Sequence, residues 1–79
     1  MNKIISTLDN VNINSPCKIV SLISESLIRK RLLDLGLIAG TTIKPVHIGP
    51  SNNPVAYLIR GTVVALRSED TKKIIVELI

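Results

Sequence analysis

Ser24-Glu25-Ser26-Leu27-Ile28-Arg29-Lys30-Arg31-Leu32-Leu33-Asp34-Leu35-Gly36, followed by Leu37-Ile38-Ala39-Gly40 and then Thr41-Thr42-Ile43-Lys44-Pro45-Val46-His47-Ile48, changes its hydrophobic period once. In the first part Ile28, Leu32 and Leu35 recur at i, i+4 and i+7, the spacing of one face of an α-helix. Ser24 stands where a helix N-cap belongs, and Glu25 brings negative charge to the positive end of the helix dipole. Gly36 suits the left-handed position just past a helix end. Lys30 and Asp34, at i and i+4, have the spacing of an ion pair on the wet side. From Thr41 onward the β-branched residues favour a strand, and Pro45, which has no backbone donor, points to an edge or a bulge within it.

Outward from this stretch the chain reads as strands. Residues 17–23, opened by Pro16, form a first one, and a short segment around Leu8 and Val11 is placed to lie across one end of the fold. After the turn-rich Gly49-Pro50-Ser51-Asn52-Asn53 come strands at 54–60, 62–67 and 73–79, with Glu69-Asp70 as the polar start of a turn. Five short strands and one helix result. A sheet so small leaves two open edges unless it curls, so the fold class expected is mainly β: a small, closed or partly open five-stranded barrel with one α-helix between strands 1 and 2. Seventy-nine residues supply a single core, which makes 1–79 one domain.

Composition narrows the function classes. Thirteen Ile, ten Leu and seven Val stand against one ring, Tyr57, with no Phe and no Trp. Binding to single-stranded nucleic acid or RNA uses several aromatic stacking platforms, so that class is disfavoured. The net charge of +4 is spread along the chain, and its one basic run, Arg29-Lys30-Arg31, fans out around a helix rather than forming a stripe. No apolar stretch approaches the ~20 residues of a membrane span, and Asp9 interrupts the N-terminal region before a signal-peptide core can form. A cytoplasmic protein without membrane insertion is expected. Cys17 is alone and implies no internal disulfide.

The search for chemistry returns little. His47 and Cys17 are the only residues of their kinds, thirty positions apart, and the carboxylates are dispersed over different elements. No catalytic residue and no cofactor is assigned. Both His47 and Cys17 are good transition-metal ligands, but no CxxC or HxxxH motif accompanies them, so no metal site is assigned within one chain. Cys17 is read as a buried hydrophobe and His47 as an exposed strand residue, with Val46 and Ile48 in the inward phase. The alternative reading is a divalent-metal sensor or chaperone that binds through Cys17, His47 or carboxylates, within one copy or across a dimer.

Two features instead suggest contact with a partner. The Gly36–Gly40 turn carries Leu37 and Ile38, and it follows a helix rather than opening one, which excludes a phosphate loop. In the strand at 54–60, Val55, Tyr57 and Ile59 share one face and Leu58 emerges on the other beside Arg60.

Taken together, Leu32-Leu33-Asp34-Leu35-Gly36-Leu37-Ile38-Ala39-Gly40-Thr41, Pro54-Val55-Ala56-Tyr57-Leu58-Ile59-Arg60-Gly61 and Val64-Ala65-Leu66-Arg67-Ser68-Glu69 resemble the ferrous iron transport protein A family, FeoA. The resemblance spans about residues 7–79, with Ala39 where the family usually has Pro. It implies an SH3-like barrel with a helix between its first two strands, cytoplasmic and without catalysis of its own. It also implies assistance to FeoB, a membrane transporter with a cytosolic GTP-binding part, in bacterial ferrous iron uptake. The residues expected to dock on that partner are Arg29, Arg31, Gly36, Leu37, Ile38, Gly40 and Leu58, with Leu37 and Ile38 as the apolar anchors. Self-association through edge strands is compatible with the same fold.

Overall fold

The described residues of the computed structural model are 4–22 and 26–79, without the side chains of 26–29. The elements run β1 (Ile5–Thr7), a single 3-10 turn (Leu8–Asn10), β2 (Cys17–Leu22), α1 (Ser26–Asp34), β3 (Thr42–Ile48), β4 (Val55–Ile59), β5 (Thr62–Leu66), α2 (Ser68–Thr71) and β6 (Ile74–Leu78). All strands pair antiparallel in one sheet of order β1-β6-β2-β3-β4-β5.

The mainly β class and the helix between the strands at Cys17 and Thr42 match the expectation, but the sheet has six strands rather than five. The additional one, β1, is three residues long and pairs Ile5 with Glu77 and Thr7 with Ile75. A segment so short carries no period of its own; its partner strand defines it. A second helix, α2, likewise replaces the polar turn expected at Glu69-Asp70. Ser24 and Glu25, read as the start of α1, lie outside the described residues. Lys30 and Asp34 form no ion pair among the described residues.

Alternation builds the core. Cys17 and Ile19 of β2, Tyr57 and Ile59 of β4, and Ile74 and Val76 of β6 point inward, and each is at most 2% exposed. Leu8 from the 3-10 turn, Leu32 from α1 and Leu37 from the turn after it close this layer, all fully buried. Complete burial of an aliphatic side chain stabilises by about 1.5–3 kcal/mol, so this aliphatic cluster supplies the main driving force for the fold. Burial raises the pKa of the single ring, Tyr57, and the neighbouring Thr71 of α2 opposes that shift.

Pro45 acts as its chemistry requires. The β3–β4 register shifts between Pro45, opposite Tyr57, and His47, opposite Ala56. This is a bulge at the position lacking an N–H. The Pro45 carbonyl accepts the Asn14 N–H at 2.6 Å. The bulge also corrects the expected phase of the strand: Ile43 and Pro45 face inward, His47 is exposed as expected, and Ile48 is 42% exposed rather than buried.

Candidate functional site

The turn after α1 is set by hydrogen bonds that the sequence encodes through one glycine. Gly36 N–H donates to the Leu33 carbonyl at 2.9 Å and Leu37 N–H to the Leu32 carbonyl at 3.0 Å, the paired bonds of a Schellman ending. Gly36 takes φ +92°, which a side chain would strain. The ending carries its usual apolar contact partners, for Leu32 and Leu37 both lie in the core with no exposed surface. Leu37 therefore cannot anchor a partner, contrary to the expectation, because it is already used to seal the helix end. Of the two expected anchors Ile38 is the exposed one, at 44%. Beyond it the Gly40 N–H donates to the Ile19 carbonyl at 2.8 Å and the Ile19 N–H to the Thr41 carbonyl at 2.9 Å, which pins the turn to β2.

On the other flank of α1, Arg31 Nη2 donates to Asp70 Oδ2 at 2.7 Å. Asp70 is buried while the arginine side chain stays largely in solvent, so the pair ties α1 to α2 at the surface. Beside it lies a concavity of about 540 Å³ lined by Arg31, Leu35, Ala65, Leu66, Arg67, Glu69 and Asp70. The structure brings Arg31 to this hollow, and it brings Gly36 near Arg60: a Cβ built on Gly36 would stand 3.9 Å from the Arg60 Cδ. Leu58 is half-buried and paired with Val63 of β5, which is 61% exposed. The side chain of Arg29 lies outside the described residues. Val63 was not singled out by sequence, Leu35 was read only as part of the apolar face of the helix although it is 40% exposed, and Asp70 only as part of a turn. Thr62-Val63-Val64-Ala65-Leu66 is apolar on both faces, so its period does not reveal which residues are wet.

Cys17 and His47, the candidate metal ligands, are not brought together. Cys17 lies opposite Ile43 and is fully buried, its thiol donating to the Ile43 carbonyl at 3.3 Å, whereas His47 is four residues farther along β3 and exposed. Burial pushes the Cys17 thiol up to about 11, away from the thiolate that metals require. Among the described residues no group of three or more His, Cys, Asp or Glu side chains could hold a metal ion. Nor, among them, is any helix long and apolar enough to cross a membrane.

Comparison with known proteins shows the family. The model of the FeoA domain matches residues 6–78. A curated relative from Porphyromonas gingivalis, described as an Fe(2+) transport protein A/Fe(2+) transporter FeoB fusion protein, is 39% identical over 72 residues, 91% of this chain. The chain spans only 8% of that relative's length. Among solved structures, a FeoA-like protein from Clostridium acetobutylicum superposes with a TM-score of 0.88 at 33% identity, covering 100% of this chain and 91% of the other. A Stenotrophomonas maltophilia FeoA complexed with zinc, described as a prokaryotic SH3 domain protein, gives a TM-score of 0.79 at 26% identity, covering 89% and 87%. The six-stranded sheet is thus of the SH3-like kind.

Proposed function

This chain belongs to the FeoA domain family, and from that membership we propose that it acts as a one-domain, non-enzymatic, cytoplasmic accessory to bacterial ferrous iron uptake, binding the cytosolic part of a FeoB-type transporter. The observation that carries this reading is the relative in which a segment 39% identical to this chain shares one polypeptide with the transporter. Covalent linkage replaces diffusional encounter by a high effective concentration, so a separate chain doing the same work has to hold the transporter by surface contacts. This chain offers apolar contact surface in Ile38 and Val63, and mixed charge beside the hollow, where Arg31 is paired with Asp70 and Arg67 and Glu69 are exposed.

The test is capture of the transporter's purified cytosolic part by this chain, together with ferrous uptake in cells. Ile38→Asp, at an exposed position, is expected to keep the fold and weaken both. Equal capture by the Ile38→Asp protein and by the unaltered one would remove Ile38 from the interface, and no capture by the unaltered chain would end the reading.

Zinc in the Stenotrophomonas maltophilia relative raises the metal-sensor alternative. Here the donor set does not fit: the one thiol is buried with its proton engaged, and the one imidazole lies apart from it. Calorimetry is expected to show no Fe²⁺ or Zn²⁺ binding tighter than about 100 μM.

A further inference from the structure

The β5 strand lies at one end of the sheet and pairs only with β4. Arg60 and Gly61, at φ +51° and +83°, form the two-residue turn joining them, with Ile59 opposite Thr62 as its flanking hydrogen-bonded pair. Alternation from that pair turns the main-chain groups of Val64 and Leu66 toward β4 and those of Val63 and Ala65 away from it. Among the described residues no other hydrogen bond engages Val63 or Ala65. The edge also lacks the usual protection, for β5 holds no charge and no proline and its register with β4 runs without a shift. Ala65 and Leu66 at this edge form one wall of the hollow whose other wall includes Arg31 and Leu35 of α1.

The charges at its ends decide what fits. Arg60 precedes the strand and Arg67 follows it, both exposed, flanking the five residues of β5, about 17 Å of extended chain. A second copy pairing edge to edge with Val63 against Ala65 of that copy, the register that engages both outward residues of both strands, places Arg60 next to Arg67 of the second copy at both ends, and in that register it is repelled. A segment with one carboxylate beside Arg60 and another beside Arg67, ending short of the exposed Glu69 on the rim of the hollow, meets opposite charge instead.

We infer that the free edge of β5 receives, as an added antiparallel or parallel strand, an extended segment of about five residues from the transporter partner, apolar in the middle and carboxylate-bearing at its ends. This rests on the proposed function above and names the contact that serves it. Main-chain pairing through Val63 and Ala65 gives the hold, the hollow beside Leu35 takes alternate side chains, and Arg60 and Arg67 select the ends.

Amide hydrogen exchange on the unaltered chain, alone and saturated with the transporter's purified cytosolic part, tests this directly. The Val63 and Ala65 amides are expected to exchange fast in the free chain and to become at least about a hundredfold slower in the complex, while Val64 and Leu66 are slow in both. Val63→Pro, which deletes only an outward N–H, is expected to fold and to weaken capture at least about tenfold, and Arg67→Glu to weaken it and flatten its salt dependence. Capture that leaves both outward amides unprotected overturns the strand addition while the proposed function stands. Protection of those amides in the free chain, rising with its own concentration, overturns it in favour of a second copy. Failure of any capture removes both readings.

Discussion

The Arg31 guanidinium reaches Asp70 across 39 positions of sequence at 2.7 Å, and the two ends of the bond sit in different solvents. The arginine side chain is 62% exposed and the aspartate side chain 9%. Removing each partner should therefore differ in effect. Arg31→Ala leaves a buried carboxylate without its donor and is expected to cost about 1–2 kcal/mol, whereas Asp70→Ala releases a solvated arginine at a cost of about 0–1 kcal/mol. Urea denaturation of both variants and of the double variant measures this. Equal effects of the two single changes would show that Asp70 is hydrated without Arg31.

Adjacent leucine and isoleucine should separate stability from binding. Leu37 is fully buried, and Leu37→Ala is expected to destabilise by about 2–5 kcal/mol, with Leu37→Asp unfolding the chain. Ile38→Asp should leave the melting temperature nearly unchanged. Circular dichroism melts on the two aspartate variants decide the matter, and a folded Leu37→Asp protein would contradict the core assignment.

Gly36 stands at φ +92° with room for a methyl group, so its replacement tests backbone strain alone. Gly36→Ala is expected to cost about 1–2 kcal/mol, and Gly36→Asn less, because asparagine tolerates the left-handed region better. Denaturant titration of the pair is sufficient; an alanine variant as stable as the unaltered chain would mean that the helix ends differently in solution.

Alkali provides a test of the Cys17 environment. Its thiol is held up to about 11, from an ordinary value of 9.0, so the folded chain binds this proton more tightly than the unfolded one. The stabilisation is complete below about pH 9 and is lost as pH rises toward 11, by on the order of 2 kcal/mol. Tyr57, whose pKa burial also raises, contributes in the same direction. The fall in stability between pH 9 and 11 should be shallower in Cys17→Ala, whatever that variant's stability at neutral pH. Iodoacetamide should modify the native thiol at pH 8 only at the rate at which the chain opens.

The strands from Cys17 to Leu78, α1 and the inward face of β4 were legible because each repeats a period long enough to detect. The elements β1 and α2, at three and four residues, fall below that length, and tertiary pairing alone defines them. In the site, the turn at Gly36 and the exposure of His47 followed from local chemistry. Leu37 did not, since nothing in Leu37-Ile38 tells which of two aliphatic neighbours turns inward; the Schellman bonds make that choice. Asp70 stayed hidden because its partner is 39 positions away. Val63 stayed hidden because an edge looks like a centre until strand order is known.

The sheet order also dictates a sequence of events. β3, β4 and β5 are neighbours in chain and in space, so they can zip up through short hairpins, while β6 has to return from the far end of the chain to slot between β1 and β2. The joint between the halves is short among the described residues: Cys17 pairs with Ile43 and Lys18 with Thr42, and two bonds tie Ile19 to Gly40 and Thr41. Closing that long loop is entropically slow, so refolding is expected to wait on the arrival of β6; substitutions that weaken the hairpins formed before it should slow refolding, and those that weaken the contacts of β6 should mainly speed unfolding.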